Sequence, residues 1–99
     1  MADVIKHVIV RGLVQGVGYR YWTESLARRL GLKGWVRNRR DGTVEAVFAG
    51  APHAVAAMIA DCRRGPSPAR VESVVERDAG EDELKINAGR EAFASLPTL

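Results

Sequence analysis

The sequence predicts an α+β fold in which short strands alternate with two amphipathic helices. β-Branched residues alternate along several short segments, whereas two other segments repeat apolar residues every three or four positions. Glycine, proline or an Asp-Gly pair separates most of these segments. The chain has 99 residues, 46% of them hydrophobic and 27% charged, so residues 1–99 are expected to form one globular domain.

The first part of the chain predicts a strand, a loop and a helix. The strand covers residues 4–11, and the loop over 12–18 contains three glycines. The helix begins at Tyr19 or Arg20. Its apolar face is formed by residues spaced four apart, namely Trp22, Leu26 and Leu30.

A hairpin, a second helix and a further strand follow. The turn signal Asp41-Gly42 joins strands predicted over 33–39 and 43–49. The second helix is expected over 52–64, because proline precedes and glycine follows an apolar stripe of helical spacing. A strand over 70–77 comes next.

The pattern weakens beyond residue 79. Residues 80–83 predict a turn, residues 85–89 fit no single element, and residues 93–96 predict a short edge strand. The order is therefore β-α-β-β-α-β with a possible short fifth strand. This is the ferredoxin-like, split βαβ arrangement, with two helices on one face of an antiparallel sheet. Because this fold carries many unrelated functions, the function has to be argued from a site.

Composition restricts the environment of the chain. No apolar run reaches the ~20 residues that cross a bilayer, and no secretory signal is visible. The single cysteine, Cys62, excludes an internal disulfide and fits a reducing compartment. We therefore expect a cytoplasmic protein without membrane association, and a monomer on size alone.

The charge is concentrated in one half of the chain. The net charge is +3, and residues 1–50 carry nine Lys/Arg against four Asp/Glu. This half indicates an anionic partner, although basic side chains that only solvate strands fit equally well. Nucleic acid is disfavoured as that partner, because the first strand has Ile9 and Arg11 where this fold needs stacking aromatic rings.

Missing motifs exclude several kinds of site. The chain has neither a GxxxxGK[ST] phosphate loop nor a GxSxG nucleophile turn, and Tyr21 stands where the dinucleotide fingerprint begun by Gly16 needs its third glycine. His7, His53 and Cys62 lack the spacing of metal ligands. His7 is expected on the strand surface and Cys62 in the core. No metal, cofactor or covalent nucleophile is expected.

The loop before the first helix has the composition of an anion-binding site. Successive backbone N–H groups in such a loop can point into one concavity, and the helix N-terminus adds free donors with partial positive charge. The candidate N–H groups belong to Gln15, Gly16, Val17, Gly18 and Tyr19. Arg20 follows, and its planar guanidinium suits two-point binding of a phosphate or carboxylate. The same residues also fit a tight connection with Arg20 in a surface salt bridge.

Asn38 is the second candidate, near the end of the second strand and just before the hairpin turn. Its side-chain amide both donates and accepts hydrogen bonds, which suits the holding of a water molecule. The alternative is an Asx turn that shapes the hairpin. The residues alone leave both interpretations open.

Both segments resemble the signature patterns of the acylphosphatase family. Residues 12–20 match Gly-x-Val-Gln-Gly-Val-x-Tyr-Arg, and residues 34–50 match Gly-Trp-Val-Arg-Asn-x-x-x-Gly-x-Val with a final glycine. The resemblance implies cofactor-free hydrolysis of the carboxyl–phosphate bond of acyl phosphates to carboxylate and inorganic phosphate. It implies that Arg20 binds the phosphate and that Asn38 orients the attacking water. The C-terminal segment departs from the family, since no alternating final strand is visible.

The implied chemistry needs little covalent work from the protein, because a carboxylate is a good leaving group. Neither pattern contains a general base, so the substrate phosphate is expected to accept the proton of the water. Arg37, Arg39 and Arg40 flank Asn38 and either steer anionic substrates or only solvate the strand. Two alternatives stay open: a carbamoyl-phosphate-handling module like those in hydrogenase maturation proteins, and a non-catalytic anion-binding module.

Overall fold

The computed structural model describes residues 2–87 and 92–99 and contains the predicted succession of strands and helices. In chain order the elements are β1 Val4–Leu13, α1 Tyr19–Arg29, β2 Lys33–Asn38, β3 Val44–Gly50, α2 Pro52–Arg64, β4 Arg70–Asp78, α3 Glu81–Leu84 and β5 Ala94–Ser95, with a 3₁₀ turn at Lys85–Asn87. Within the described residues, no helix is long and apolar enough to span a membrane.

The strands form one mixed sheet in the order β4-β1-β3-β2-β5. Neighbouring strands are antiparallel except at one edge, where β5 runs parallel to β2 with Trp35 opposite Ala94. The ferredoxin-like arrangement is confirmed, but the expectation of a purely antiparallel sheet is wrong at this edge. The reason is that the chain returns to the sheet along the outer side of β2 and in the same direction.

Alternation along the strands gives the sheet two different faces. The helix face, which α1 and α2 cover, carries apolar side chains such as Val36 and Phe48. The opposite face carries Trp35 and Glu45, and α3 lies on it because the Glu83 carbonyl accepts a hydrogen bond of 2.7 Å from Trp35 Nε1. The main core therefore lies between the helices and the sheet, and a smaller mixed layer lies beneath α3.

The predicted apolar stripe of α1 is only half-buried. Its members, Trp22, Leu26 and Leu30, pack at the margin of the core. The fully buried positions of the helix are Tyr19, Thr23 and Ala27. Tyr19 can sit in the core because its hydroxyl donates a hydrogen bond of 2.8 Å to the Cys62 carbonyl. Periodicity missed this face because two of its three residues carry hydroxyl groups.

The first strand is longer than predicted. β1 continues to Leu13 beyond a register shift between Arg11 and Gly12. A Cβ atom at Gly12, whose φ is +129°, would lie 2.1 Å from the Arg70 carbonyl oxygen. The neighbouring strand therefore passes too close for any residue but glycine, and a glycine that sequence reasoning assigned to the loop belongs to the sheet.

The C-terminal segment is partly as predicted. The expected turn over 80–83 is largely a short helix, α3, and the expected edge strand over 93–96 is confirmed as β5. Phe93 is buried and stacks on Phe48 with ring centres 5.5 Å apart, so the end of the chain completes the core. Residues 88 and 89 of the ambiguous segment lie outside the described residues.

Candidate active site

The loop between β1 and α1 presents the helix N-terminus to solvent. Gly16 and Gly18 have φ angles of +74° and +82°, which non-glycine residues rarely adopt. Gly18 is the N-cap residue of α1; no side chain caps the helix, and its first turn holds no acidic residue. The first N–H groups of α1 are therefore free donors at the positive end of the helix dipole.

Arg20 lies in the first turn of α1 and is half-buried. Its guanidinium makes neither a hydrogen bond nor an ion pair with any other described residue. Arg28, two turns further along the same helix, instead donates to the Phe93 carbonyl and approaches Glu24 to 4.0 Å. Among the described residues, the surface salt bridge that was the alternative for Arg20 is thus not formed, and its side chain lines the cleft without a paired carboxylate.

Asn38 ends β2, and its side chain lies on the helix face of the sheet. The Oδ1 atom is buried and accepts no hydrogen bond from the described residues. The Asx turn of the hairpin is made instead by Asp41, whose Oδ1 accepts hydrogen bonds from the Thr43 amide at 3.0 Å and the Thr43 hydroxyl at 2.6 Å. The hairpin therefore does not need the Asn38 side chain, and the structural alternative for this residue is removed.

One small cleft brings the two candidates together. It has a volume of about 170 Å³ and is lined by Val14, Gly16, Gly18, Tyr19, Arg20, Tyr21 and Asn38. Pockets for drug-sized ligands measure about 300–1,000 Å³, so this one suits a small anion. A larger cleft of about 470 Å³, which is lined by Leu99 and the hairpin turn, contains neither candidate.

Gln15 holds the loop against the hairpin. Its side-chain amide donates hydrogen bonds to the Arg39 carbonyl at 2.6 Å and the Thr43 carbonyl at 2.8 Å. The loop that carries the free N–H groups is thereby tied to the strand end that carries Asn38. A side-chain role was not predicted for Gln15, although an amide among glycines in a loop is itself a signal that a specific contact is needed.

Not all of the predicted loop residues line the cleft. Gly16, Gly18 and Tyr19 line the cleft, whereas Gln15 does not, and the Val17 side chain packs against the core. Sequence reasoning missed two lining residues, Val14 and Tyr21. Val14 is buried beneath the loop, and Tyr21 is 79% exposed at the rim. The exposure of Tyr21 could not be predicted from the sequence, because it depends on how α1 packs in the fold.

The cleft contains no carboxylate or imidazole among its lining residues. Burial raises the pKa of Tyr19, whose hydroxyl is directed to the Cys62 carbonyl and not to the cleft. Burial also raises the pKa of the Cys62 thiol to about 12, so this cysteine is a core residue and not a nucleophile. In residues 2–87 and 92–99, no three His, Cys, Asp or Glu side chains cluster closely enough to hold a metal ion.

The basic residues beside Asn38 lie on the other side of the sheet. Arg37 Nε and Arg39 donate to Glu45 Oε1 at 2.8 and 3.1 Å. His7 Nε2 lies 2.7 Å from Glu45 Oε2. His7 was expected on the surface but is only 8% exposed, because its imidazole pairs with a buried carboxylate. These two arginines are therefore engaged on the opposite face and are not free to line the cleft.

Comparison with known proteins gives this geometry its context. The family model described as Acylphosphatase matches residues 6–89. An acylphosphatase from Bradyrhizobium diazoefficiens is 57% identical over 99 residues, which is 100% of both chains. The chain belongs to the acylphosphatase family. The predicted family and the predicted enzyme class, an acylphosphatase hydrolase acting on acyl phosphates, are confirmed.

Solved structures agree with the fold. An acylphosphatase from Coxiella burnetii superposes with a TM-score of 0.84 at 30% identity, covering 96% of this chain and 94% of that one. The structure of full-length HypF in a phosphate- and nucleotide-bound form matches 97% of this chain but only 12% of its own, with a TM-score of 0.82 at 21% identity. This second likeness concerns the fold alone.

Proposed function

We propose that the cleft around Arg20 and Asn38 is the site at which this acylphosphatase hydrolyses its substrates, with release of carboxylate and inorganic phosphate. One observation carries the proposal: the buried Asn38 Oδ1 has no partner in the described chain, in the same small cleft as an uncompensated arginine. A buried polar atom without a hydrogen bond costs about 1–3 kcal/mol. Such an atom is understandable where its partner is the attacking water.

The loop and the arginine bind the transferred phosphoryl group. Backbone N–H groups from Gly16 to Tyr19 and the Arg20 guanidinium donate to its non-bridging oxygens, on which the transition state keeps its charge. The loop is held in place before substrate arrives, because the Gln15 side chain anchors it, and α1 fixes the backbone from which the Arg20 side chain projects. The Gln15 N–H precedes this series of donors, and the Gln15 side chain keeps the loop in the conformation that presents them.

Asn38 orients the nucleophile. Its Oδ1 accepts a hydrogen bond from water, whose oxygen attacks phosphorus in line with the bond to the acyl oxygen. As the new P–O bond forms, the old one breaks and its electron pair leaves with the carboxylate. The water proton passes to a phosphate oxygen of the substrate, since no lining residue is a general base. The shallow cleft contacts little of the acyl group, which favours a broad acyl range.

The decisive experiment measures benzoyl phosphate hydrolysis by the wild type and by Asn38→Ala. We expect a loss in turnover of roughly 10²–10³-fold, as for removal of one transition-state group, with inorganic phosphate bound as before. Ser25→Ala, a smaller polar-to-alanine truncation at an exposed position of α1, serves as the control and retains wild-type turnover. An equal collapse of phosphate affinity would make Asn38 a binding or folding residue, and a wild type without turnover would leave an anion-binding module.

The wider setting is also a proposal. Residues 1–99 act as one monomeric cytoplasmic domain on small-molecule acyl phosphates, without nucleic acid or membrane, as size, charge and the absence of stacking aromatics on β1 suggest. Light scattering of the purified chain tests the monomer directly, because a dimer would double the mass. Retention on a nucleic-acid column at physiological salt would contradict the restriction to small molecules.

A further inference from the structure

A buried ionic cluster lies directly behind the candidate site. Glu45, at 7% exposure in β3, accepts hydrogen bonds from three basic side chains on the opposite face of the sheet. Its Oε1 accepts from Arg37 at 2.8 Å and Arg39 at 3.1 Å, and its Oε2 pairs with His7 at 2.7 Å. The proposed mechanism uses none of these four residues.

The position of the cluster gives it a functional meaning. Arg37 and Arg39 are the residues immediately before and after Asn38, and their side chains point away from the face on which the Asn38 side chain lies. The Glu45 carboxylate therefore binds the side chains of both neighbours of Asn38 on the opposite face of the sheet. This fixes the peptide groups on either side of Asn38, and with them the direction of its side chain.

Further contacts hold the end of β2 around Asn38 in place. The Arg37 guanidinium lies 4.6 Å from the ring centre of Trp35, whose indole N–H is bonded to the Glu83 carbonyl. The Asn38 carbonyl accepts a hydrogen bond of 3.1 Å from the Leu99 amide at the sheet edge. The strand end is thus held from behind and from the side, whereas the Asn38 Oδ1 atom has no hydrogen-bond partner among the described residues.

Stability alone explains such a cluster poorly. The free energy needed to remove ionised groups from water largely cancels the attraction between them. Apolar residues of the same volume often give an equally stable fold. What a saturated buried network provides is one fixed arrangement. A carboxylate with three donors, two of them on the residues next to the proposed water-orienting amide, has the geometry of a support for that amide.

We propose that Glu45 is a positioning residue for the hydrolysis, acting through Arg37 and Arg39 to aim the Asn38 side chain at the attacking water. The proposal rests on the role of Asn38 proposed above. Glu45 touches neither substrate nor water. Its removal lowers kcat by loosening Asn38 and leaves phosphate binding by the loop and Arg20 intact.

The test is a double-mutant cycle of Glu45→Gln with Asn38→Ala, assayed on benzoyl phosphate. In the wild-type background we expect Glu45→Gln to lower kcat by roughly 10–100-fold, the cost of a misplacement near 1 Å, with KM and phosphate affinity within about twofold. In the Asn38→Ala background the same substitution changes kcat by less than about twofold, because the group it positions is gone. Glu76→Gln, which breaks an exposed 2.9 Å pair with Arg63, is the matched control.

A spectroscopic readout keeps the proposal testable without turnover. The side-chain amide resonance of Asn38, assigned by its loss in Asn38→Ala, is expected to shift and broaden in Glu45→Gln and to stay unchanged in Glu76→Gln. If Glu45→Gln does not fold, Arg39→Met removes one donor and leaves Glu45 with His7 and Arg37. It is expected to give a smaller kcat loss and the same selective change in the Asn38 resonance.

The outcomes separate this proposal from the proposed function. Equal kcat losses from Glu45→Gln with and without Asn38, or an unchanged Asn38 resonance in the folded variant, would overturn the positioning role and leave Asn38 itself untouched. Full turnover in Asn38→Ala alone would overturn the assignment of Asn38, and the role of Glu45 with it. A parallel loss of phosphate affinity in Glu45→Gln would show a general structural effect and would also count against positioning.

Discussion

At the end of β2, the polar groups on the two faces of the sheet differ in whether their hydrogen bonds are satisfied within the protein. On the helix face the Asn38 Oδ1 is buried without a partner in the described chain, and the Arg20 guanidinium beside it is unpaired. On the opposite face Glu45 is saturated by donors from Arg37, Arg39 and His7. Both regions are polar, and both are built around residues 37–39, so amino-acid composition alone does not distinguish them.

The difference teaches where to look for chemistry. A polar group whose hydrogen bonds are all made within the fold cannot bind a ligand through them, whereas an unsatisfied group remains available to do so. Substitutions on the helix face should therefore change activity with little loss of stability. Substitutions on the opposite face should change stability and reach activity only through Asn38.

After Asn38→Ala, the largest effect is expected from Arg20→Lys. A lysine keeps the charge but replaces the planar, two-point donor with a single ammonium group. We expect phosphate affinity and kcat/KM to fall together by roughly 10–100-fold, because a hydrogen bond to a charged group contributes about 1.5–3 kcal/mol. Calorimetric titration with inorganic phosphate and steady-state assays measure the two quantities.

The control for this substitution is available on the same helix. Arg29→Lys is the same chemical change at an exposed position in the last turn of α1, far from the cleft. It should leave both constants and the free energy of unfolding unchanged. An Arg20→Lys enzyme as active as Arg29→Lys would contradict two-point binding and remove Arg20 from the helix-face site.

An intermediate effect is expected from acid. Desolvation raises the pKa of Glu45, but hydrogen bonds from His7 and Arg37 and the charge of Arg37 outweigh it, so the pKa lies below its ordinary value. A carboxyl with a lowered pKa stabilises the fold above its unfolded pKa of about 4.3. That contribution is lost as the pH falls through the lower, folded value, where the unfolded state binds the proton more readily.

Denaturant unfolding between pH 6 and acid would measure this, with Glu45→Gln as the comparison. The wild type should lose stability more steeply than the variant below the unfolded pKa, by at most the slope of one proton, about 1.4 kcal/mol per pH unit. Above that pKa, the free-energy difference between the two should be constant. Identical acid slopes would mean that Glu45 is not held by its three donors, and the contrast between the faces would disappear.

Much of the fold was readable from local pattern. The glycine loop, the Asp41-Gly42 turn and the spacing of apolar residues specified the element order, because each acts over a few residues. The direction of β5 was not readable, since it depends on how the segment after β4 crosses the opposite face. The burial of Thr23 was missed for a related reason: a hydroxyl residue joins a core only through its tertiary surroundings.

The residue types of the site were predictable from the sequence, but the hydrogen-bond partners of its polar side chains were not. Arg20 and Asn38 stand in patterns long enough to be recognised, and the structure brings them to one cleft. That Asp41 makes the Asx turn, and so releases Asn38, could not be read from the sequence, because both residues suit such a turn. The pairing of His7 with Glu45 joins residues 38 positions apart, which spacing does not reveal.

The smallest effect compares two buried threonines. The Thr23 hydroxyl, on the core side of α1, has no hydrogen-bond partner in the described chain, whereas the Thr43 hydroxyl donates to Asp41 at 2.6 Å. Valine has nearly the same shape as threonine and no hydroxyl. Thr23→Val should therefore raise the free energy of unfolding by about 1 kcal/mol, and Thr43→Val should lower it by about 1 kcal/mol.

The sign of the change in unfolding free energy is the informative quantity. A single change near 1 kcal/mol is small, but changes of opposite sign at two buried positions are readily distinguished. Chemical denaturation of both variants at neutral pH resolves them, with the slope against denaturant held constant as the check that the unfolded states match. If Thr23→Val destabilises as much as Thr43→Val, then the Thr23 hydroxyl is satisfied in solution. Within the described residues, the contrast between the two faces would then rest on Asn38 Oδ1 alone.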